Sequence, residues 1–236
     1  MISLLIATRN SHKVGEIRAI LGDGFSYLTL NDFSGAPEVL EDAGTFAGNA
    51  TKKAVELAKW LSKVHSPQAK VQGRGRTFVL ADDSGLEVDA LNGAPGVHSA
   101  RFAGLETGQP ANSPTPDNNA KLLRLLKDVP WEKRTGRFRC ILALTPVVSG
   151  EEKEGASSVC YADEFELQTE LFEGVCEGRI GFELRGRGGF GYDPLFFPVG
   201  YEQTFGELRE EVKNRLSHRA RALAKLQKWL EKAEPG

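Results

Sequence analysis

The chain has 236 residues, of which 40% are hydrophobic and 26% charged, with a formal net charge of −2. These are ordinary globular values with enough length to bury a real core, and the near-neutral balance argues against a general polyanion binder while leaving room for a local basic patch that takes a small charged ligand. Cys140, Cys160 and Cys176 form no CxxC pair and the four histidines no HxH or HxxxH pair, which argues against a disulfide frame or a transition-metal centre and reads as reduced thiols of a cytosolic protein.

Ile2 to Ala7 is an apolar run without a basic stretch before it. It reads as a first strand and not as a signal peptide, and no run approaches the ~20 apolar residues of a membrane span. A cytoplasmic location is therefore expected. The polar loop Thr8-Arg9-Asn10-Ser11-His12-Lys13 follows, then Val14, Ile17, Ile20 and Leu21 at helical spacing and Gly22 as a stop. Asn10 or Ser11 is the expected N-cap. Backbone N–H groups, Arg9 and Lys13 near a helix N-terminus favour an anion, although the loop fits no Walker A pattern and many α/β units begin with such a loop.

A second strand is expected over Phe25 to Leu30. The acidic turn Glu38 to Thr45 precedes a long helix whose buried stripe is Phe46, Ala50, Ala54, Leu57, Ala58 and Leu61. Asn49 and Lys53 share one face near its start. Glu41 and Asp42 read either as charges suited to a helix N-terminus or, for Glu41, as a cation ligand beside a phosphate-binding Lys53. Ser66 to Thr77 reads as a loop rich in Gly, Gln, Lys and Arg.

Phe78-Val79-Leu80-Ala81 is expected to be a buried strand closed by a turn at Asp82-Asp83-Ser84-Gly85. Side chains alternate along a strand, so one aspartate should project into a cleft. Two adjacent carboxylates suit a bound cation, or else an Asp-Ser-Gly turn that caps backbone amides. The Gly- and Pro-rich run Asn92 to Phe102 suits a tight loop around a ligand. Asp117 is the expected cap of a helix carrying Leu122, Leu123, Leu125 and Leu126. Arg137 to Val148 reads as a strand, Gly150 to Gly155 as a charged hairpin-type loop, and Val159 to Gly178 as one or two further strands.

Gly186-Arg187-Gly188-Gly189-Phe190-Gly191-Tyr192-Asp193-Pro194 is too rich in glycine for a core element. Its glycines permit close approach to a ligand, and Phe190 or Tyr192 can stack on a planar ring. The nominal GxGxxG spacing lacks the strand and helix of a dinucleotide fold. Thr204 to Glu207 reads as a capping box opening a helix with Lys213. Ser217 is the expected cap of the last helix, whose stripe is Ala222, Leu223, Leu226, Trp229 and Leu230. His218 and Arg219 sit in its first turn, where the dipole disfavours cations, either because a ligand contacts them or because they face solvent. No composition break demands a second independent domain.

Six segments, taken in order, resemble the inosine/xanthosine triphosphate pyrophosphatase family: Ala7 to Lys13; Glu41 to Phe46 with Asn49-Ala50 and Lys53-Ala54; Ala81 to Leu86; Gly93 to Phe102; Gly188 to Pro194; and Lys213 with Ser217-His218-Arg219. The resemblance spans nearly the whole chain as one domain, 1–236. It implies an elongated two-lobed α/β fold, a long mixed sheet flanked by helices with the active site in the groove between lobes, and a cytoplasmic homodimer without nucleic-acid or membrane partners. The implied reaction converts ITP, dITP or XTP to the monophosphate and pyrophosphate with Mg²⁺. The implied catalytic carboxylate is Asp83, also a metal ligand with Glu41. Thr8, Arg9, Asn10, Ser11, His12, Lys13 and Lys53 would hold the triphosphate, and Ser84 would contact substrate. Phe190, Gly191, Tyr192 and Asp193 would line the base and sugar pocket, and Lys213, His218 and Arg219 would contact the base. The chain departs from the pattern at Gly48, where the family often has Glu, and in longer segments over Ser66 to Thr77 and Glu106 to Thr115.

Overall fold

Ile2–Ile6 forms β1 with all five residues buried. A strand that is buried on both faces belongs inside a sheet. It pairs in parallel with β2, Phe25–Thr29, in the register Ile2 to Phe25, and on its other side with β3, Thr77–Val88, in the register Leu4 to Phe78 and Ile6 to Leu80. The structure is a computed structural model and describes residues 2–64, 76–106, 108, 111–147 and 164–233. The remaining strands are β4, Thr135–Pro146, β5, Glu170–Ile180, and β6, Phe196–Pro198. The order is β2-β1-β3-β4-β5-β6 in a six-stranded sheet. β5 and β6 are antiparallel, so the sheet is mixed. Its helices are α1, Ser11–Leu21, α2, Phe46–Lys63, α3, Thr115–Leu125, α4, Glu164–Leu167, α5, Glu210–Leu216, and α6, His218–Ala233. The fold class is α/β, as the sequence indicates.

The chain divides into two compact units. The first comprises Met1–Asp83 and Ile141–Phe172, the second Ser84–Cys140 and Glu173–Gly236. In the first unit, α2 buries Phe46, Ala50, Ala54, Leu57, Ala58 and Leu61, the stripe read from spacing. Asn10 caps α1 by accepting from the N–H groups of His12 and Lys13, and Gly22 ends it at φ 71°. That φ lies in the left-handed region where glycine carries no steric penalty. In the second unit the core includes Leu86, Phe102, Leu122, Phe138, Tyr192 and Phe196. Ser217 Oγ caps α6 by accepting from Ala220 N at 3.2 Å.

Four local expectations differ from what is found. β3 does not turn at Asp82 but runs on to Val88, because both carboxylates find partners while buried and need no turn amides. α3 begins at Thr115 with Pro114 at its cap, and Asp117 lies inside its first turn; Pro116 fixes a helical φ there and lets the helix start early. Within Val159 to Gly178 one strand is found, β5, but residues 164–167 before it are helical, a turn closed by Thr169 Oγ1 donating to Phe165 O at 2.6 Å, and residues 159–163 lie outside the described residues. Thr204 to Glu207 is only half a capping box. Glu207 accepts from Thr204 N at 2.8 Å, but the Thr204 hydroxyl donates to Arg185 O at 2.7 Å, and α5 starts at Glu210. Gly150 to Gly155 and most of Ser66 to Thr77 lie outside the described residues.

Candidate active site

β1 and β3 run in parallel with Ile6 opposite Leu80, so the C-terminal end of β1 comes out beside the point on β3 that leads into Asp82 and Asp83. Ligands of open α/β sheets bind beyond such ends. The loop after β1 leads into α1, whose Lys13 extends to β3: Nζ lies 2.5 Å from Asp82 Oδ1 and 3.4 Å from Asp82 O. Lys53, one turn after Asn49 on α2, also donates to Asp82 O, at 3.3 Å, and pairs with Glu41. Two ammonium groups thus converge on one strand residue. Thr8 to His12 are half-buried or exposed at the head of α1. Thr8 Oγ1 accepts from Asn10 N at 3.1 Å, and Arg9 donates to Ala36 O at 3.3 Å. Asn10 serves as the cap; Arg9, Ser11 and His12 are exposed beside it.

Asp83 differs from its neighbour. It is 6% exposed and accepts from Asn49 Nδ2 at 3.0 Å. Asn49 Oδ1 in turn accepts from Ala43 N at 2.9 Å, so one buried amide ties the acidic turn to β3. Burial pushes the Asp83 carboxyl up to about 6, against the opposing pull of Lys13 and the Asn49 hydrogen bond; Glu41 adds a further upward push and Lys53 a downward one. The mutual repulsion of Glu41 and Asp83 is what a divalent cation relieves. Among the described residues no group of three His, Cys, Asp or Glu side chains is placed to hold a metal. Two hard carboxylates completed by substrate oxygens are the donor set that suits magnesium, and the residues fit such an ion on that chemistry.

The second unit gathers the other predicted residues. Asp193 is 3% exposed, and its Oδ2 accepts from Phe190 N and from Lys213 Nζ, each at 2.7 Å. The carboxylate thereby shapes the glycine-rich turn and fixes a buried ammonium. Gly189, at φ 71°, is required: a Cβ there would meet Asp193 Oδ2 at 2.1 Å. Lys213 Nζ lies 4.9 Å and Arg219 Cζ 5.7 Å from the Phe190 ring centre, both within reach of its π-face. Arg219 is fully buried, its Nη2 donating to Ser84 Oγ at 3.4 Å, and His218 is buried with its ring stacked on Phe138 at 4.9 Å. The solvent-facing alternative for this pair is therefore excluded. Gly174 explains their depth, since a Cβ on it would lie 1.9 Å from His218 O; only glycine lets α6 approach β5 so closely.

Tyr192 belongs to the apolar core, and its hydroxyl donates to Ser99 O at 2.9 Å. Gly191 is half-buried between it and Phe190. Sequence reasoning assigned no role to Asn49, Ser99 or Asn119. The spacing of Asn49 to Lys53 was the signal for the first; the others show only as polar residues among apolar ones.

The Ham1 family model matches residues 4–229. A dITP/XTP pyrophosphatase of Desulforamulus reducens is 44% identical over 95% of this chain and 93% of its own length. One of Halalkalibacterium halodurans is 41% identical over 96% and 98%. A solved HAM1 protein from Coxiella burnetii superposes with a TM-score of 0.73 at 31% identity, covering 98% of this chain and all of that one. A Mycobacterium abscessus structure, described as a nucleoside-triphosphatase / dITP/XTP pyrophosphatase, gives 0.65 at 35% identity over 95% and 98%. The chain belongs to the Ham1 family.

Proposed function

We propose that this protein is a nucleoside-triphosphate pyrophosphatase that hydrolyses non-standard purine nucleotides (ITP, dITP and XTP) to the monophosphate and pyrophosphate, and so removes them from the nucleotide pool. The observation that carries the reading is the buried Asp83 carboxyl, pushed up to about 6, in the company of Lys13, Lys53 and Glu41. Relatives named dITP/XTP pyrophosphatase at 44% and 41% identity support it.

Thr8 to Lys13 and Lys53 hold the triphosphate. The head of α1 offers N–H groups and a dipole suited to phosphate oxygens, and the two ammonium groups neutralise charge on the leaving pyrophosphate. Asp83 accepts a proton from the attacking water. The water oxygen bonds to the α-phosphorus while the bond to the α–β bridging oxygen breaks, and pyrophosphate departs with that electron pair. A carboxyl near 6 suits this work, because it is ionised at neutral pH yet more basic than an ordinary aspartate. Mg²⁺ held by Glu41 and Asp83 would supply further neutralisation of the phosphate charge.

Phe190 stacks on the base with Gly191, Tyr192 and Asp193 forming the wall of its pocket, and Ser84 contacts the substrate. Lys213, His218 and Arg219 recognise the base. A donor such as Arg219 is satisfied by the six-position oxygen of hypoxanthine or xanthine and left unpaired by adenine's amino group, a mismatch worth ~1–3 kcal/mol. The continuous family match supports one functional domain, 1–236, and the resemblance supports a cytoplasmic homodimer acting on small molecules, without nucleic-acid or membrane partners. Among the described residues no helix is long and apolar enough to cross a membrane.

Incubation with ITP and Mg²⁺ tests the reading. IMP and pyrophosphate are expected in equal amounts. Inorganic phosphate as first product, or faster turnover of dTTP or UTP than of ITP, would overturn it.

A further inference from the structure

Asn118 and Asn119 are adjacent on α3, and both are buried, at 5% and 4% exposure. Asn118 uses its whole amide on the chain. Oδ1 accepts from Ala103 N at 2.8 Å, and Nδ2 donates to Ala100 O at 3.1 Å. Asn119 does not. Its Nδ2 donates to Gly191 O at 3.2 Å, while Oδ1 is buried with no hydrogen-bond partner among the described residues. The orientation of the amide is determined by its neighbour, because a flip would set Oδ1 against the Gly191 carbonyl. A half-satisfied buried amide weakens a fold relative to an aliphatic side chain of similar size, so the fold alone gives no reason for asparagine here.

What Asn119 grips gives one. Gly191 follows Phe190, stands at φ 61° and precedes Tyr192, whose hydroxyl is tied to Ser99 O. The Phe190 end of the turn is tied by Asp193 and the Tyr192 end by Ser99. Gly191, between them, is held at its carbonyl by Asn119, the one side-chain donor to it among the described residues. We propose that Asn119 is a positioning residue for the base subsite, setting the Phe190–Gly191 turn through Gly191 O so that the Phe190 ring is presented to the purine, with its second amide atom available to accept from a donor that arrives with the ligand. This rests on the reading of Phe190 as the stacking residue.

Two variants and two small probes test it. Asn119→Leu and Asn119→Ala remove the grip on Gly191. Calorimetric binding of inosine 5′-monophosphate, which presents the base, is expected to weaken about fivefold to tenfold, one neutral hydrogen bond's worth. Binding of pyrophosphate, which presents only phosphates, is expected to stay unchanged. In turnover of ITP, KM should rise by the same factor with kcat within about twofold, because a contact remote from the reacting phosphorus contributes equally to ground and transition states. Unchanged inosine monophosphate binding in folded variants would overturn the proposal. Equal weakening of both probes, or loss of the fold in both variants, would also overturn it by assigning Asn119 to the fold as a whole. Wild-type protein that makes no IMP from ITP would instead refute the proposed reaction, which separates the two failures.

Discussion

Asn49 Nδ2 donates to Asp83 Oδ2 at 3.0 Å across 34 residues of chain, whereas the adjacent Asp82 takes the Lys13 ammonium at 2.5 Å. Two neighbouring carboxylates of one strand, 2% and 6% exposed, thus receive different hydrogen-bond partners: an ammonium for Asp82 and a neutral amide for Asp83. Burial raises the Asp83 carboxyl to about 6 even though Lys13 and the Asn49 amide pull it down. Asp83 is thereby suited to act as a base, while Asp82 anchors both lysines.

The ionised Asp83 opposes folding when no cation is bound. Its carboxyl titrates at about 6 in the folded chain, against 3.8 for the free group. Between those values the folded chain keeps a proton that the unfolded chain has released, so this group's contribution to stability falls as pH rises through that window and stays reduced above it. Asp83→Asn removes the charge and preserves the acceptor for Asn49. In EDTA at pH 8 the variant should melt a few degrees above wild type, at most ~3 kcal/mol more stable, with the gap closing by about pH 4. ITP turnover should fall at least ~100-fold. A variant that melts below wild type at pH 8, or retains near-normal turnover, would refute the assignment.

Asn49→Ala removes the hydrogen bond that holds the Asp83 carboxyl down. The carboxyl should then titrate higher, so the acid limb of kcat/KM against pH shifts upward. A loss of about tenfold is expected near pH 6, shrinking toward pH 9. A uniform loss across the pH range would instead show that Asn49 acts only through Ala43.

Asp193→Asn breaks the buried pair with Lys213, itself 5% exposed. Leaving one buried charge without its partner destabilises by ~3–5 kcal/mol, and replacing both members by neutral residues restores much of this. Chemical denaturation of Asp193→Asn, Lys213→Met and the double variant forms the cycle. The double variant should recover stability but not ITP affinity, since Lys213 would still be lost from beside Phe190. Recovery of both would show the pair to be purely structural.

Gly189→Ala places a methyl group 2.1 Å from Asp193 Oδ2 at a φ of 71°. The strain of about 1–3 kcal/mol should be relieved by movement of the turn, which loosens the Phe190 N to Asp193 bond. KM for ITP is expected to rise more than tenfold while the pH profile set by Asp83 keeps its midpoint. A shifted midpoint would contradict the independence of the two residue groups.

Local signals were legible in the sequence by itself. Asn10, Gly22 and Ser217 punctuate helices through contacts within four residues, and the α2 stripe follows from the helical period. The strand period of two likewise foretold that Asp82 and Asp83 would differ. Where the strand ended was not legible, because the carboxylates stay inside β3 only by virtue of Lys13 and Asn49, which lie 69 and 34 residues away. Nor was the depth of His218 and Arg219, which depends on Gly174 admitting α6 against β5, nor the core position of Tyr192, whose hydroxyl finds Ser99 O across 93 residues. The residue types, their order and the caps were determined by the sequence alone. Which aspartate holds a lysine and which is left to titrate near 6 was decided only by tertiary structure, since desolvation and pairing are properties of neighbours brought together by the fold.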